Sequence, residues 1–273
     1  MSELGASMNG TVALVTGGAS GIGEATARLF SARGATVVVA DIDELRAASV
    51  AAEIGGISAH INVAEPDGAE NLALRLDDLV GPVTVLVTSA GITQPPTPPE
   101  ALDVELWDRI MDVDVRGTWL CAAAFGTRMA SRGAGSIVTV ASVTAMRSTP
   151  LHAYGPGKAA LITLTANLAA EWGASGVRVN CVAPGYTMTP AMAALIDSGA
   201  RDPALMESAS ALGRLVPAED VALAIAFLSG REAASITGVV LPVDAGWLVT
   251  PTWSTYGGIP GARPTSHEKE TRP

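Results

Sequence analysis

The feature that most constrains this chain is a regular alternation of two kinds of segment. Short apolar runs rich in β-branched residues occur at Thr11–Thr16, Thr36–Ala40, Val83–Thr88, Ser136–Ala141, Val177–Val182 and Val239–Val243. Between them lie longer, alanine-rich stretches at Gly23–Ala32, Asp43–Glu53, Ala69–Leu79, Glu100–Arg132, Ala153–Ala174 and Pro217–Leu228. Runs without polar alternation suit strands covered on both faces. Strand–helix–strand repeats give parallel strands joined by right-handed crossovers. With a weaker strand near Ile57–Val63, the reading is an α/β, doubly wound parallel sheet of about seven strands with helices on both faces. Pro242 removes a ladder donor from the last run, which puts that strand at an edge.

Composition narrows the function. The net charge of −10 argues against nucleic acid or an anionic membrane surface as partner, since both need a basic face. No apolar run approaches the ~18 residues of a membrane span. The N-terminus lacks the basic-then-apolar pattern of a secretory signal. Cys121 and Cys181 are too few for a disulfide framework or a cysteine-rich zinc site and read as buried thiols. His60, His152 and His267 are too far apart for a helical metal pair. The expectation is a cytoplasmic protein without a metal. Residues 1–250 read as one domain, and 251–273, rich in Gly, Pro, Ser and Thr, as a C-terminal tail that packs near an active site through Trp253 and Tyr256. From His267 on, the tail is expected to be mobile. Thr93–Pro99 holds four prolines and reads as a rigid surface loop.

The first run leads straight into Gly17-Gly18-Ala19-Ser20-Gly21-Ile22-Gly23 and then a helix. Glycines let the backbone turn sharply and approach a pyrophosphate, and the helix N-terminus offers free N–H groups to the anion. The second run ends in Asp41, where a carboxylate can accept the ribose hydroxyls of an adenosine and repel a 2′-phosphate. Asp43 adds to that repulsion, and neither Ala19 nor Ser20 supplies a cation. A Rossmann-type dinucleotide site that prefers NAD to NADP follows. Asp41 also has a plainer use, as a cap for the helix behind it.

Of fifteen arginines and two lysines, only Lys158 among the lysines lies in the apparent folded body. Tyr154 and Lys158 are four apart at the start of a helical stretch and share a face. A phenol with a free pKa near ~10 becomes a base at neutral pH only if ~3 units, roughly 4 kcal/mol, are supplied. A nearby ammonium works in that direction. Pro156 between them requires the helix to begin close to Tyr154. Ser142 follows the fourth long run, at the end of the sheet where ligands bind. No Gly-x-Ser-x-Gly elbow surrounds it, which excludes the common serine-hydrolase arrangement.

Together these motifs resemble the classical short-chain dehydrogenase/reductase family, from about residue 10 to 248. The matching residues are Thr16–Gly23, Ala90-Gly91, Ser142, Tyr154-Gly-Pro-Gly-Lys158, Asn180, Pro184-Gly185 with Thr189, Thr237-Gly238 and Val243-Asp244-Ala245-Gly246. The resemblance implies an NAD-dependent oxidoreductase that interconverts a small secondary alcohol and a ketone. It implies Tyr154 as general acid/base, Lys158 as the residue that tunes it and holds the nicotinamide ribose, and Ser142 as the group that polarises the substrate oxygen. The implied cofactor contacts are Gly17, Ser20, Gly21, Ile22, Gly23, Asp41, Ile42, Asn62, Val63, Ser89, Ala90, Gly91, Tyr154, Lys158, Pro184, Gly185, Thr187 and Thr189. A homotetramer through Glu100–Arg132 and Ala153–Ala174 is implied as well.

The sequence departs from the family at three places, one of them Pro156 inside Tyr154-Gly-Pro-Gly-Lys158. Thr88-Ser89-Ala90-Gly91 replaces an amide-bearing motif, and the Thr88 hydroxyl remains as a possible donor. Asp114 stands where the family carries its fourth catalytic residue, an asparagine. Beside Lys158 the carboxylate would stabilise the ammonium; in a dry site it would instead donate as a neutral acid. An alternative follows, a cofactor-binding protein with regulatory function or low turnover. The segment 188–212 is expected to form a lid, with Thr144, Met146, Arg147, Gln94, Tyr186 and Trp247 in the pocket wall.

Overall fold

The structure is a computed structural model and describes residues 7–261. The apolar runs form strands: β1 Val12–Thr16, β2 Thr36–Asp41, β3 Ile57–His60, β4 Val85–Thr88, β5 Gly135–Val140 and β6 Val177–Pro184. The last, Val240–Val243, is β9, after a short pair formed by β7 Thr187–Met188 and β8 Val216–Pro217. All seven strands of the main sheet are parallel, in the order β3-β2-β1-β4-β5-β6-β9. Pro242 lies on an edge strand, where its missing N–H interrupts no ladder. The chain leaves β1 towards β2 on one side and returns to β4 on the other. The crevice at the strand ends there is the usual ligand position in such sheets.

Helices cover both faces. Helices α1 (Gly21–Ala32), α2 (Glu44–Ile54) and α9 (Ala218–Ser229) seal one face with Phe30, Val50, Val221 and Ile225. Helices α3 (Gly68–Leu79), α5 (Thr118–Arg132) and α6 (Tyr154–Trp172) seal the other with Leu72, Leu76, Phe125 and Met129. Each such side chain stabilises the fold by about 1.5–3 kcal/mol when fully buried. Cys121 and Cys181 are both buried and free, as their composition suggested. Burial pushes the Cys121 thiol up to about 12, so it is not a nucleophile at neutral pH.

The stretch 100–132 is not one helix. A 3₁₀ turn at Pro99–Ala101 precedes α4 (Val104–Ile110), which starts where Asp103 accepts from the Glu105 amide at 3.1 Å. A π-helical segment, Met111–Gly117, then separates α4 from α5. Such wide turns occur mostly where a helix carries a functional residue; here Asp114 lies inside it. Between β7 and β8 the chain forms α7 (Pro190–Asp197) and α8 (Pro203–Ser208), and two further 3₁₀ turns at Trp247–Val249 and Trp253–Tyr256 follow β9. Trp253 and Tyr256 are exposed among the described residues. The charged end of the tail from His267 lies outside the described residues. No helix among the described residues is long and apolar enough to cross a membrane.

Candidate active site

The glycine turn is built by close backbone approach. A Cβ on Gly23 would stand 2.1 Å from the Gly17 carbonyl oxygen, so no side chain fits there. Gly17 has φ +65° and abuts Ser89 and Ala90, where a Cβ would meet backbone atoms at 2.7–2.9 Å. The Ala90 amide donates to the Thr16 hydroxyl at 3.3 Å, tying β4 to the turn. Ser20 is the N-cap of α1 without a side-chain cap bond, and the first helical amide bonded to a carbonyl behind it is Glu24's, to Ser20 at 3.1 Å. The amides of Gly21, Ile22 and Gly23 are thus left over at the positive end of the helix. Thr189 closes over Gly21. This cradle fits a dinucleotide's phosphates.

Asp41 ends β2 beside the turn. One carboxylate oxygen accepts from the Ala19 amide at 3.1 Å and the other from the Asp43 amide at 3.0 Å. The cap of α2 is Asp43, which accepts from the Arg46 amide at 3.0 Å. Asp41 therefore braces the glycine turn, and its remaining lone pairs stay available to a ribose. Arg46, absent from the sequence-based site, donates through Nε to the Ala19 carbonyl at 3.3 Å. Its exposed guanidinium stands beside the glycine turn, 3.9 Å from Glu24 Oε2, a cation that the reading of Ala19 and Ser20 did not include. Ile42, next to Asp41, is exposed. Asn62 accepts from the Ala64 amide at 3.1 Å, and Val63 packs on Gly117 of the π segment. On the opposite side, Pro184 ends β6, the Gly185 amide bonds Val243 at 3.0 Å, and Thr187 donates to the Gly185 carbonyl at 3.1 Å.

Three side chains from two elements meet at the crevice, Tyr154 and Lys158 from α6 and Asp114 from the π segment. Lys158 Nζ lies 3.0 Å from Asp114 Oδ2, donates to the Val140 carbonyl at 3.1 Å, and sits 5.4 Å from the centre of the Tyr154 ring. Lys158 and Asp114 are both almost completely buried. Burial works against the lysine's charge, but the Asp114 carboxylate and then Tyr154 outweigh it and hold the lysine pKa above its ordinary 10.5. Asp114 Oδ1 accepts from the Ile92 amide at 2.8 Å. Of the two arrangements open to Asp114, the structure has the ion pair. Gly91 completes the contact: a Cβ there would be 3.2 Å from both Asp114 Oδ2 and Lys158 Nζ.

Helix α6 begins at Tyr154, with Pro156 in its first turn, where a missing N–H costs little. Ser142 Oγ accepts from the Thr144 amide at 3.2 Å, which leaves its O–H proton free to donate. The 3₁₀ turn Val143–Ala145 that it caps packs against α6. The Thr88 hydroxyl is buried with no partner among the described residues. Gln94 is the main residue that sequence reasoning placed too loosely: it is buried, and its Oε1 accepts from the amides of Ala153 and Tyr154 at 2.7 and 3.0 Å.

The substrate side is more open. Within 188–212, Met206 is buried, while Met188, Leu195, Leu205 and Leu212 are exposed. The segment is fastened to the C-terminal turns: Leu212 donates to the Ala245 carbonyl at 3.0 Å, and the Thr250 hydroxyl to that of Ala209 at 2.6 Å. Tyr186 and Trp247 meet edge to face with centroids 6.1 Å apart. Arg147 is exposed, as a solvated surface arginine would be, and donates to the Leu248 carbonyl at 3.1 Å.

This constellation, a parallel sheet with an open glycine-lined helix N-terminus beside a Tyr-x-x-x-Lys pair, is that of a nicotinamide-dependent oxidoreductase fold. A family profile described as Enoyl-(Acyl carrier protein) reductase matches residues 17–248. The chain belongs to the classical short-chain dehydrogenase/reductase family. It is 39% identical to a cis-4-hydroxycyclohexanecarboxylate dehydrogenase of Sinomonas cyclohexanicum, over 86% of this chain and 96% of that one. It is 36% identical to a galactitol 2-dehydrogenase of Rhizobium johnstonii, over 88% and 96%. A crystal structure from Brucella melitensis 16M, described as a ribose-5-phosphate isomerase, superposes with a TM-score of 0.92 at 47% identity, covering 94% of this chain and 99% of that one.

Proposed function

We propose that this protein is an NAD-dependent oxidoreductase that interconverts a small secondary alcohol and a ketone, with Ser142, Tyr154 and Lys158 at the reacting oxygen and Asp114 holding the lysine. The observation that carries this reading is the Tyr154–Lys158–Asp114 row beside a helix N-terminus with unspent amides. Ser142 donates to the substrate oxygen. Tyr154 takes the hydroxyl proton in oxidation and returns it in reduction. The Lys158 ammonium stabilises the negative charge that develops on the phenol oxygen, and Asp114 keeps that ammonium charged in a buried place. A nicotinamide dinucleotide, when bound, supplies the hydride acceptor or donor.

NAD is the proposed cofactor because Asp41 would stand against a 2′-phosphate; Arg46 beside the glycine turn makes the preference finite. Compact polyhydroxylated or ring alcohols are the proposed substrates, supported by the names of the relatives and by a wall that includes Tyr186 and Trp247. The body to about residue 250, with 188–212 as lid, is proposed to act as a cytoplasmic homotetramer carrying its tail near an active site; a monomer in sedimentation would overturn the assembly.

A second reading, aldose–ketose isomerisation, is motivated only by the description of the Brucella structure. One experiment separates the two: nicotinamide absorbance followed with a panel of secondary alcohols and ketones, ribose 5-phosphate included, and both NAD and NADP. The expectation is turnover with alcohols and at least tenfold higher kcat/KM for NAD. Tyr154→Phe should lose at least ~10² in rate with NAD affinity within a few fold. Conversion of ribose 5-phosphate without any nicotinamide oxidation or reduction of an alcohol or ketone would favour the isomerase instead.

A further inference from the structure

We propose that Gln94 is a positioning residue for Tyr154: its side-chain oxygen holds the first turn of α6, and through it the tyrosine. The proposal rests on the acid/base reading of Tyr154 given above. The first turn reads Tyr154-Gly155-Pro156-Gly157. Glycine is a poor helix former and frays readily at an end. The N-cap residue is Ala153, which has no side-chain acceptor, and the helix makes no side-chain cap bond of its own. The Gly155 and Gly157 amides bond the Leu151 and Ala153 carbonyls, each at 2.9 Å, which leaves the Ala153 and Tyr154 amides to find an acceptor elsewhere.

Gln94 supplies it from sixty positions away. Its Oε1 accepts from both Ala153 and Tyr154, at 2.7 and 3.0 Å, in a place sealed from solvent. Two accepted N–H groups decide which end of the amide is oxygen. The Nε2 end is buried with no partner among the described residues.

The anchor itself is stiff. Gln94 precedes Pro95, which restricts its own backbone to extended conformations, and Pro96, Pro98 and Pro99 follow. Two residues before it, the Ile92 amide donates to Asp114 Oδ1 at 2.8 Å. One short segment, 92–94, therefore touches both the partner of Lys158 and the backbone of Tyr154. It sets the two catalytic side chains relative to each other. Losing the Gln94 oxygen would let the first turn shift while leaving the pocket walls and the cofactor cradle intact.

The test compares Gln94→Met, which keeps length but removes the acceptor, with Gln94→Glu, which keeps acceptor oxygens and removes the donor. Gln94→Met should lower kcat by ~10–100-fold, the loss that a small misplacement of a catalytic group produces. The alcohol KM and the NAD dissociation constant should stay within about threefold. Gln94→Glu should recover most of kcat. Amide hydrogen exchange at Tyr154 should quicken in Gln94→Met and not in Gln94→Glu. Should Gln94→Met fail to fold, Gln94→Asn, one methylene too short to reach, carries the same expectations. Unchanged kcat in Gln94→Met, a raised KM with unchanged kcat, or a Gln94→Glu variant as slow as Gln94→Met would each overturn the proposal. If Tyr154→Phe is itself fully active, it is the acid/base reading that fails. If Tyr154→Phe is dead and Gln94→Met is normal, only the positioning role fails.

Discussion

Two helices of this fold start with glycine-rich turns, and they are used in opposite ways. Helix α1 starts Gly21-Ile22-Gly23 and leaves its leading amides unspent, facing a crevice. Helix α6 starts Tyr154-Gly155-Pro156-Gly157; the amides of Tyr154 and of its N-cap Ala153 are taken by Gln94, and that of Gly155 by the Leu151 carbonyl. The glycines differ in kind. At Gly23 a Cβ would meet the Gly17 carbonyl oxygen at 2.1 Å; at Gly155 and Gly157 the nearest atoms would be at 3.5 Å, an ordinary contact. An N-terminus becomes an anion site where the turn before it closes on itself and faces the crevice. Where it faces a buried loop, the same exposed amides become a handle by which the loop places a side chain.

The largest effect that bears on this contrast is expected at Gly23. Gly23→Ala drives a methyl group into the carbonyl of Gly17, so the turn must open and the amides lose their common direction. NAD affinity measured by calorimetry should fall at least ~10²-fold, in line with losing several charge-assisted contacts together. Retained affinity would mean that the turn is softer than its packing suggests, and that α1 is no more preorganised than α6.

Most of the fold was legible because a continuous apolar run has few alternatives to a buried strand, and Pro242 correctly marked an edge. The break in 100–132 was not legible. A π turn adds a residue to a helix without changing its composition, so the apolar pattern through Val113 and Val115 reads equally well as α-helix. The helices of the segment 188–212 did carry a signal: Thr189-Pro190 and Asp202-Pro203 are each an N-cap followed by proline, and both caps form, at 3.2 and 2.9 Å. Within the site, Tyr154 and Lys158 were readable as an i, i+4 pair. Asp114 was marked beside Lys158 by the resemblance, but the Gln94 contact with the Tyr154 backbone and the Arg46 contact with the glycine turn span 60 and 27 positions and leave no local pattern. The family resemblance marked Asp114 as a departure without saying which of its two states it takes.

A smaller effect is expected at Asp114, which belongs to the side of the comparison where a side chain is held rather than an anion. Burial alone would lower the lysine pKa, and Asp114 reverses that. Asp114→Asn keeps an oxygen for the Ile92 amide and removes the charge, so burial regains the upper hand and Lys158 loses its proton at lower pH. Turnover should persist within about tenfold, with the alkaline limb of the pH–rate profile moved to lower pH. Stability follows the same sign. A lysine with a raised folded value contributes fully below its ordinary 10.5 and loses that contribution as pH climbs through the folded value. The variant should therefore melt earlier at neutral pH and show less alkaline loss than the parent. An alkaline limb that does not move would detach Asp114 from the lysine.

The smallest effect, and the sharpest use of the contrast, is Gly157→Ala. If the glycines of α6 were needed as those of α1 are, adding a methyl group there would damage the site. The geometry argues otherwise. The added carbon would lie 3.5 Å from Val115 and 3.8 Å from Ile110 and the Met111 sulfur, an apolar surround at normal contact distance. Gly157 is inside the helix with ordinary helical backbone, where alanine is favoured over glycine by about 0.5–1 kcal/mol. The variant should therefore keep kcat and KM within about twofold and melt slightly higher, in proportion to that difference. The Gln94 anchor is untouched by the substitution, so Tyr154 stays where it was. A large fall in kcat in a variant that folds and binds NAD normally would mean that the first turn of α6 moves during turnover, and that its glycines, like those of α1, serve the reaction rather than merely tolerate it.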